Sequence, residues 1–409
     1  MKIAIPKERA AGESRVAASI EVIGKLVGLG CDVVIEASAG EGASIADETF
    51  KKAGASIAKD FAATVKGANM VWKITAPSKA EIGKLTKGQI VCAHLSALTD
   101  AKGIEEMAKA GLSGYAMELM PRISRAQSMD ILSSQANLAG YKAVLNAAEL
   151  YGRAFPMMMT AAGTVPPARA FIMGVGVAGL QAIATAKRLG AAVSATDVRP
   201  ATREQVASLG GKFLDVDPEM EKEAETDGGY AKEMPPEYFE KQKQKVKEHL
   251  PKQDIVVTTA LIPGRPAPKL VTKDMVEGMK PGAIIVDMAA EAGGNCELTK
   301  PGEVTTTKNG VIIDGRLNLP SRLAETASAL FAKNLLNFIT PHFDKESGKF
   351  AFDDEDLTVQ GTLVCTGGKV VNDRVASALK PSGAAKPKAP AKKKAAKKDD
   401  AKTDDGKGA

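Results

Sequence analysis

The chain of 409 residues is too long for one ordinary hydrophobic core, so its length predicts two compact domains. Hydrophobic residues make up 44% of it and can fill such cores, whereas aromatic residues, at 4%, predict interiors built mainly from aliphatic side chains. The formal net charge of +6 falls to about +1 once residues 381–409 are set aside, because that segment holds nine lysines and four aspartates, so we expect no nucleic-acid partner.

Residues 1–125 predict a first α/β unit. A helix over residues 20–29 ends at Gly30, and short buried strands are expected at residues 3–5, 32–35, 70–74 and 90–94. Strands that alternate with helices form a parallel sheet with right-handed crossovers. Charges follow the first strand by Lys7, and no stretch approaches the ~20 apolar residues of a spanning helix, so we expect a soluble chain without a signal peptide.

Residues 129–339 predict a second α/β unit between two long helices. Apolar residues recur at helical spacing over residues 129–151 and again over residues 321–339. Between them, a helix over residues 178–189 accompanies strands expected at residues 168–173, 191–196, 254–258 and 283–287. Because the long helices bracket the second unit, we predict that it is inserted into the first. The predicted fold class is α/β, with two Rossmann-like doubly wound parallel-sheet domains joined by long helices.

The predicted domain boundaries follow from this arrangement. The first Rossmann-like domain takes residues 1–128 and 317–380, and the inserted domain takes residues 129–316. Residues 219–249, rich in Glu and Lys, predict a solvated loop and a charged helix, whereas residues 381–409 lack apolar periodicity and predict a disordered tail. The four cysteines form no C-x-x-C pair, so we expect buried free thiols and no metal site.

A dinucleotide-binding fingerprint follows the strand at residues 168–173. Gly174, Gly176 and Gly179 have the G-x-G-x-x-G spacing and open the helix that leads to the next strand, which ends in Asp197. The first glycine would make the tight turn, the second would let the backbone approach a pyrophosphate, and the third would let the helix pack on the strand. Asp197 would accept the ribose hydroxyls and repel a 2′-phosphate, which favours NAD over NADP, although the nearby Arg199 argues against this preference.

A longer motif carries a family resemblance. Residues 121–140 read PRISRAQSMDILSSQANLAG and resemble the loop that characterises the NAD(H)-binding domain of proton-translocating NAD(P) transhydrogenases. The resemblance continues through AAGTVPPAR at residues 161–169, GGYAKE at 228–233, TALIPG at 259–264 and AEAGGN at 290–295. It covers essentially the whole chain before the tail. The same architecture resembles that of the related alanine dehydrogenases.

The resemblance implies direct hydride transfer from NADH to NADP⁺, with NADP(H) held by a different domain docked against this one. Such a reaction needs no general acid, because the protein's task is to hold two nicotinamide rings near contact and to exclude water. The family also implies membrane-spanning partner subunits, which carry the proton pathway and the NADP(H)-binding domain, and a homodimer of this subunit. The chain would lie as a peripheral subunit on the cytoplasmic face of a bacterial inner membrane.

The resemblance also assigns site residues. Tyr230 would sit on a mobile loop that closes over NAD(H), and Gly229 beside it would permit that movement. The nicotinamide and its ribose would be held by four residues, of which the first three lie at the hydride-transfer site: Arg122, Gln127, Asp130 and Ser133. The adenosine side and the neighbouring cleft would be lined by Val177, Asp197, Val198, Arg199, Gln244 and Leu261.

Structural interpretations of the same residues stay open. Arg122 and Asp130 also fit an ordinary ion pair at a domain junction, Gln127 and Ser133 fit helix-cap or surface groups, and Tyr230 fits a surface aromatic residue. The intact spacing of the loop favours the functional interpretation.

The competing prediction is an alanine dehydrogenase. Its substrate pocket uses an Arg, a Lys and a His, for which Arg15, Lys73 and His94 are the candidates, and a His and a Lys can serve as acid, base or carbonyl polariser. The sequence around His94 departs from the pattern expected of that enzyme, so we interpret these three residues as structural. A third hypothesis, an NAD-sensing regulatory module, lacks any accompanying effector element.

Overall fold

Short runs of aliphatic residues form the strands of a first parallel sheet. The computed structural model describes residues 1–221, 234–261, 264–344 and 347–379. The parallel strands of the first sheet are β1 (Lys2–Ile5), β2 (Asp32–Glu36), β3 (Ser56–Ala58), β4 (Met70–Thr75), β5 (Ile90–His94) and β6 (Ser113–Ala116). They lie in the order β3-β2-β1-β4-β5-β6, which is the doubly wound order of a Rossmann fold.

Helices connect these strands and cover both faces of the sheet. They are α1 (Ile20–Gly28), α2 (Asp47–Lys52), α3 (Phe61–Val65), α4 (Lys79–Ile82) and α5 (Ala101–Lys109). In α1, the Ser19 side chain caps the first turn by accepting the N–H of Val22, and Val22, Ile23 and Leu26 are buried. The helix therefore begins where the sequence supplies a cap and buries the stripe that its apolar spacing creates.

The long helix α6 (Ile131–Leu150) leads from the first sheet to the second. A small hairpin follows, formed by β7 (Met158–Thr160) and β8 (Gly163–Val165). The second sheet then contains β9 (Arg169–Met173), β10 (Ala192–Thr196), β11 (Lys212–Phe213), β12 (Ile255–Thr258), β13 (Ile284–Asp287), β14 (Val304–Thr306) and β15 (Ile312–Asp314). Its order is β11-β10-β9-β12-β13-β15-β14, again doubly wound, with β14 as an antiparallel edge strand.

The second sheet is wrapped by its own set of helices. They are α7 (Val177–Arg188), α8 (Thr202–Ser208), α9 (Pro218–Glu221), α10 (Pro236–His249) and α11 (Lys273–Glu277). On one face of the sheet, Val246 and Leu250 pack with Phe171 and Val256, and on the other face Ala182 and Ile183 of α7 pack with residues of β9, β10 and α6. The sheet is thus buried on both sides, as its continuous aliphatic strands require.

The chain then returns to the first sheet. The returning segment contains α12 (Ala324–Ile339), β16 (Phe343–Asp344), β17 (Lys349–Phe350), α13 (Leu357–Thr362), β18 (Leu363–Thr366), β19 (Lys369–Val370) and α14 (Asp373–Leu379). Strand β18 pairs antiparallel with β6, and β19 extends that edge. Two Rossmann-like sheets connected by the long helices α6 and α12 confirm the predicted fold class. The boundaries at residues 128/129 and 316/317 stay a prediction.

Helix α6 packs closely against α7 because one of its turns carries Gly140. A Cβ atom on Gly140 would lie 2.1 Å from the carbonyl oxygen of Ala178, so only glycine permits this approach. Asn137 on α6 also donates to Gln181 on α7, at 3.4 Å. The helix that follows the 121–130 segment is therefore fixed to the helix that follows the glycine fingerprint. Of the helices that the structure describes, none combines the length and the apolar character of a membrane span.

Candidate functional site

The glycine fingerprint forms a tight turn between β9 and α7. Gly174 has a φ of +96°, in the left-handed region that favours glycine, and a Cβ atom there would lie 2.5 Å from Thr259 Oγ1. A Cβ atom on Gly179 would lie 1.9 Å from the carbonyl oxygen of Gly174, whereas Gly176 has open space on that side. Neighbouring atoms therefore lie close to the first and third glycines of the turn, whereas the second glycine has no such neighbour among the described residues.

The open side of this turn exposes the start of α7. Gly176 is the N-cap residue and supplies no side-chain cap, so the N–H groups of the first turn need another acceptor. Val177 in that turn is 39% exposed. Helix N-termini bind phosphates because their free N–H groups and the helix dipole both favour negative charge. An open backbone followed by an uncapped helix fits the pyrophosphate of a dinucleotide.

The position in the sheet agrees with this geometry. Strands β9 and β12 are neighbours, and their chain connections leave in opposite directions, which makes their carboxyl ends the topological switch point of the sheet. The glycine turn follows β9, and the segment from Thr259 to Leu261 follows β12. Leu261 is 54% exposed at this edge. Ligands of doubly wound sheets bind in the crevice outside such a point.

Asp197, directly after β10, is joined to the glycine turn. Its Oδ2 atom accepts the N–H of Val175 at 2.7 Å. Burial acts to raise the pKa of Asp197, but hydrogen bonds and charge from Arg199, with the N–H groups of Val175 and Arg199, outweigh it, so the pKa lies below its usual value. The carboxylate is therefore ionised at neutral pH and fixed at the edge of the turn.

Arg199 holds the same carboxylate from the other side. Its Nε donates to Asp197 Oδ1 and its Nη2 to Asp197 Oδ2, both at 2.9 Å. The position of Arg199 in the sequence argued against a preference for NAD. In the structure, its guanidinium pairs with Asp197, the residue expected to bind the ribose. Val198 between them packs against a small cluster formed by Val216, Met234 and Tyr238. These three positions, with the three glycines and Val177, lie together at one edge of the second sheet.

The 121–130 segment lies between β6 and α6 and turns two of its side chains inward. Residues Ser124–Met129 form a 3-10 helix in which Ala126 and Met129 are buried in the core of the first sheet. Gln127 and Arg122 are both exposed. Residues three apart share a face of a 3-10 helix, so burying Ala126 and Met129 directs Gln127 to another side.

Asp130 and Ser133 form the start of α6. Asp130 is the N-cap residue, and its Oδ1 accepts the N–H of Ser133 at 3.0 Å while its Oδ2 accepts the Ser133 hydroxyl at 2.5 Å. Ser133 therefore takes part in a helix cap, as one of the structural interpretations of the sequence allowed, and Asp130 is the capping residue. The cap fixes the end of the segment that carries Gln127.

Three other residues of the predicted site have no contact with this edge that the structure describes. Gln244 is exposed on α10, where its amide donates to Glu248 Oε1 one turn later, at 2.6 Å. Gly229 and Tyr230 lie outside the described residues, so their place at the cleft stays a prediction.

Two residues that organise the cleft were not predicted. The Thr259 hydroxyl donates to the carbonyl of Gly174 at 3.0 Å. The fully buried Asn295 accepts the N–H of Ala260 and donates to its carbonyl, at 3.0 and 2.9 Å. Thr259 could have been predicted as a cleft residue, because it is a polar residue directly after β12. Asn295 ends the AEAGGN motif, but its partner is 35 residues away in the chain and has no local sequence signal.

Lys73 occupies a buried ionic cluster of the first sheet. Its side chain is 1% exposed and lies 3.1 Å from Glu8 Oε2 and 3.5 Å from Glu81 Oε1. Glu8 also accepts the N–H of Ile74 and the hydroxyl of Thr75, both at 2.6 Å. The ammonium group is thus compensated by two carboxylates, which agrees with a structural role.

Arg15 and His94 also have structural partners. Arg15 pairs with Glu13 and donates to Gln135 Oε1 on α6 at 2.8 Å, which ties the first strand region to the long helix. The His94 ring lies at the end of β5 with its Nδ1 3.3 Å from the hydroxyl of Ser96. The four cysteines are buried free thiols, as predicted, and among the described residues no group of three or more His, Cys, Asp or Glu side chains is placed to hold a metal ion.

Comparisons with known proteins place the chain in a family. The model of the alanine dehydrogenase/PNT N-terminal domain matches residues 4–139, and that of the C-terminal domain matches residues 143–373. The chain is 59% identical over 377 residues to the first part of the NAD(P) transhydrogenase alpha subunit of Rhodospirillum rubrum, a match that covers 91% of this chain and 98% of that protein.

A solved structure agrees with the sequence comparison. The crystal structure of transhydrogenase from Sinorhizobium meliloti matches with a TM-score of 0.82 and 52% identity, over 91% of this chain and all of that one. The alanine dehydrogenase of Halomonas elongata is 29% identical over 87% of this chain and 91% of that protein. The chain therefore belongs to the alanine dehydrogenase/PNT family and, within it, to the NAD(P) transhydrogenase alpha subunits.

Proposed function

We propose that the chain is the NAD(H)-binding subunit of a proton-translocating transhydrogenase, in which a hydride passes directly between NADH and NADP⁺ held by a partner subunit. The observation that carries the proposal is the glycine turn, which is open at Gly176, leads into the uncapped α7 and is bonded to Asp197. The name of the Rhodospirillum rubrum relative supports the transhydrogenase assignment over other NAD-dependent reactions.

The second sheet would bind the adenosine half of NAD(H). The N–H groups at the start of α7 donate to the pyrophosphate, and Gly176 lets the backbone approach it. The Asp197 carboxylate accepts from the adenosine ribose, and its negative charge disfavours a 2′-phosphate. Val177, Val198 and Arg199 line the adenosine side, with Leu261 across the crevice.

The 121–130 segment would hold the nicotinamide half. Gln127 and Arg122 are both exposed, and Asp130 and Ser133 form a fixed carboxylate and hydroxyl pair next to them in the chain. NADH supplies the hydride when bound, so the task of these side chains is to orient the ring and exclude water. Tyr230, with Gly229 beside it, would belong to a mobile loop that closes over the bound nucleotide, and Gln244 on α10 is a weaker candidate.

The proposed reaction also requires partner subunits. We infer that membrane-spanning subunits carry the proton pathway and the NADP(H)-binding domain, and that the chain works as a homodimer. We place it as a peripheral subunit on the cytoplasmic face of a bacterial inner membrane. The name of the Rhodospirillum rubrum relative, which describes an alpha subunit divided into parts, supports a complex of several polypeptides.

Deuterium transfer tests the chemistry. NADH labelled with deuterium at C4 of the nicotinamide is mixed with NADP⁺, the purified chain and membranes that carry the partner subunits. We expect the label to appear in NADPH and not in water, since the hydride passes directly between the rings. Loss of the label to solvent would contradict direct transfer. Gln127→Ala should slow the transfer at least about tenfold, whereas Lys79→Ala, a change in an exposed ion pair with Glu106, should not.

A further inference from the structure

The 121–130 segment is attached along one side to the returning part of the first domain. Its inward residues, Ala126 and Met129, are held by the hydrophobic core, whereas the exposed Gln127 receives no such support. Three sets of contacts from α12 and α13 fix the backbone of the segment. All three come from residues that follow the second sheet in the chain.

The first contact is an ion pair in the middle of the segment. Arg125 Nη2 donates to Asp356 Oδ1. Asp356 is the N-cap residue of α13 and accepts the N–H and the hydroxyl of Thr358, at 2.7 and 2.6 Å. Its side chain is 10% exposed, so the carboxylate is fixed by its own helix and presents an immobile acceptor to the guanidinium.

The second contact lies at the end of the segment. Asn334 and Asn337, on α12, both donate from Nδ2 to the carbonyl oxygen of Ser128, at 2.8 and 2.9 Å. Asn334 Oδ1 in turn accepts the hydroxyl of Ser134 on α6, at 2.7 Å. Two amides that converge on one carbonyl hold the peptide between Ser128 and Met129, one residue after Gln127.

The third contact lies at the beginning of the segment. A Cβ atom on Gly361 of α13 would lie 3.0 Å from Pro121 Cδ and 3.3 Å from the carbonyl oxygen of Leu119. Helix α13 is therefore packed against the segment without a side chain between them. The backbone is supported at Pro121, Arg125 and Ser128, and the site candidates Arg122 and Gln127 lie between these points in the chain.

We propose that Arg125, through its ion pair with Asp356, and Asn334 with Asn337, through Ser128, are positioning residues that set the place of Gln127 for hydride transfer. The inference rests on the proposed function of the 121–130 segment. Misplacing a reacting group by about 1 Å costs on the order of 100-fold in rate, so an anchor two residues from Gln127 has a large effect on transfer. The adenosine half of NAD(H) would contact the second sheet instead, so binding depends little on this anchor.

The test uses the full chain with membranes that carry the partner subunits. Arg125→Met removes the ion pair and keeps the length of the side chain, Arg125→Lys keeps the charge, and Asp356→Asn keeps an oxygen to cap α13. Lys79→Met, which removes the exposed pair between Lys79 and Glu106 in the same domain, is the matched control. Single-turnover transfer rates, NADH Kd by fluorescence titration and melting temperatures are measured for each variant.

We expect Arg125→Met and Asp356→Asn to lower the transfer rate about tenfold or more while the NADH Kd changes less than about threefold. Arg125→Lys should restore most of the rate, and Lys79→Met should match the wild type. Transfer by Arg125→Met at the wild-type rate would overturn this inference and leave the proposed function standing. A variant in which the transfer rate, the NADH affinity and the melting temperature all fall together would overturn it as well, because a merely structural role predicts that combination. An inactive wild-type mixture would contradict the proposed function, and with it this inference.

Discussion

The Oδ2 atom of Asp197 accepts the backbone N–H of Val175 at 2.7 Å, so the end of β10 is fastened to the glycine turn after β9. The same carboxylate pairs with Arg199 through two nitrogen atoms. An anionic acceptor thus lies at the edge of the glycine turn, with its compensating cation directly beside it. We expect selectivity between NAD(H) and NADP(H) to depend on the balance of these two side chains.

Asp197→Ala tests that balance. The variant loses the ribose acceptor and the negative charge that disfavours a 2′-phosphate beside Arg199. A hydrogen bond to a charged group contributes about 1.5–3 kcal/mol, so we expect the NADH Kd to rise about 10- to 100-fold while the NADPH Kd rises less or falls. Fluorescence titrations with both nucleotides measure the two constants, with Arg199→Ala as the control that keeps the carboxylate. An unchanged ratio of the two Kd values would contradict the ribose assignment.

Gly176→Ala and Gly179→Ala separate binding from stability. Among the residues that the structure describes, no atom lies within 4 Å of a methyl group at Gly176, so we expect normal stability. The NADH Kd should rise at least about tenfold, because the methyl group would occupy the approach to the phosphates. A methyl group at Gly179 would lie 1.9 Å from the Gly174 carbonyl, so that variant should lose about 1–3 kcal/mol or more of unfolding free energy. Urea unfolding and NADH titration of both variants distinguish these outcomes. A stable Gly179→Ala variant with wild-type binding would disagree with the closed packing of the turn.

Lys73→Met tests the structural interpretation of the buried ionic cluster. It would leave the carboxylates of Glu8 and Glu81 without the ammonium group between them, and breaking a buried pair in this way costs about 3–5 kcal/mol. Lys79→Met, on the surface, should cost less than about 1 kcal/mol. Urea unfolding measures both. A Lys73→Met protein as stable as the wild type would refute the structural role.

Alanine oxidation is the companion experiment. With alanine and NAD⁺, we expect the chain alone to form no NADH, because Arg15 and Lys73 are occupied by Glu13, Glu8 and Glu81. Absorbance at the NADH band follows the reaction. Steady turnover of alanine by the chain alone would instead favour the alanine dehydrogenase hypothesis and catalytic roles for Lys73 and His94.

The buried His342 predicts a loss of stability in mild acid. Burial lowers its pKa, opposed by the charge of Asp356, and Arg125 lowers it further while Asp353 raises it. The Nε2 atom lies 3.8 Å from Asp356 Oδ2 and, among the described residues, has no hydrogen-bond partner. In the unfolded chain a histidine takes up its proton near pH ~6.5, before His342 does in the folded state. The unfolding free energy should therefore fall as the pH drops from about 7 to about 5, by less than about 1.4 kcal/mol per pH unit for one proton.

His342→Gln measures that contribution. The variant has no titratable ring, so its unfolding free energy should fall less steeply with decreasing pH than that of the wild type. His249, whose pKa is also lowered by burial, remains in both proteins and cancels in the comparison. Parallel curves for the two proteins would show that His342 takes up its proton equally in both states.

The central strands of both sheets could be predicted because they are short runs of mostly apolar residues. Residues 70–74 and 254–258, for example, became β4 and β12 within one residue at each end. Strands β3, β6 and β11 were not predicted, since they are two to four residues long and contain Ser, Gly or Lys. Such strands are formed by pairing with a neighbour that is already in place, so their own composition indicates little.

For the candidate site, local relationships were readable and distant ones were not. The glycine turn and Asp197 follow from spacing alone, and Ser133 was recognised as a possible helix-cap residue. The pair between Arg125 and Asp356 joins residues 231 positions apart and depends on how the returning segment packs against the first sheet. The contact of Arg199 with Asp197 could have been predicted, since the two residues are close in the chain. Its expected effect on selectivity could be argued only from the positions of the two side chains in the structure.

Reduction of NADP⁺ by NADH is the measurement that tests the proposed function most directly. The purified chain, membranes that carry the partner subunits, and their mixture are assayed separately, with formation of NADPH followed by an enzyme that does not use NADH. We predict transfer in the mixture and none in either component alone, and a mixture prepared with Gln127→Ala should lose about nine-tenths of the rate or more. NADPH formation that is unchanged when the chain is omitted, or a mixture without transfer in which the chain binds NADH, would contradict the assignment.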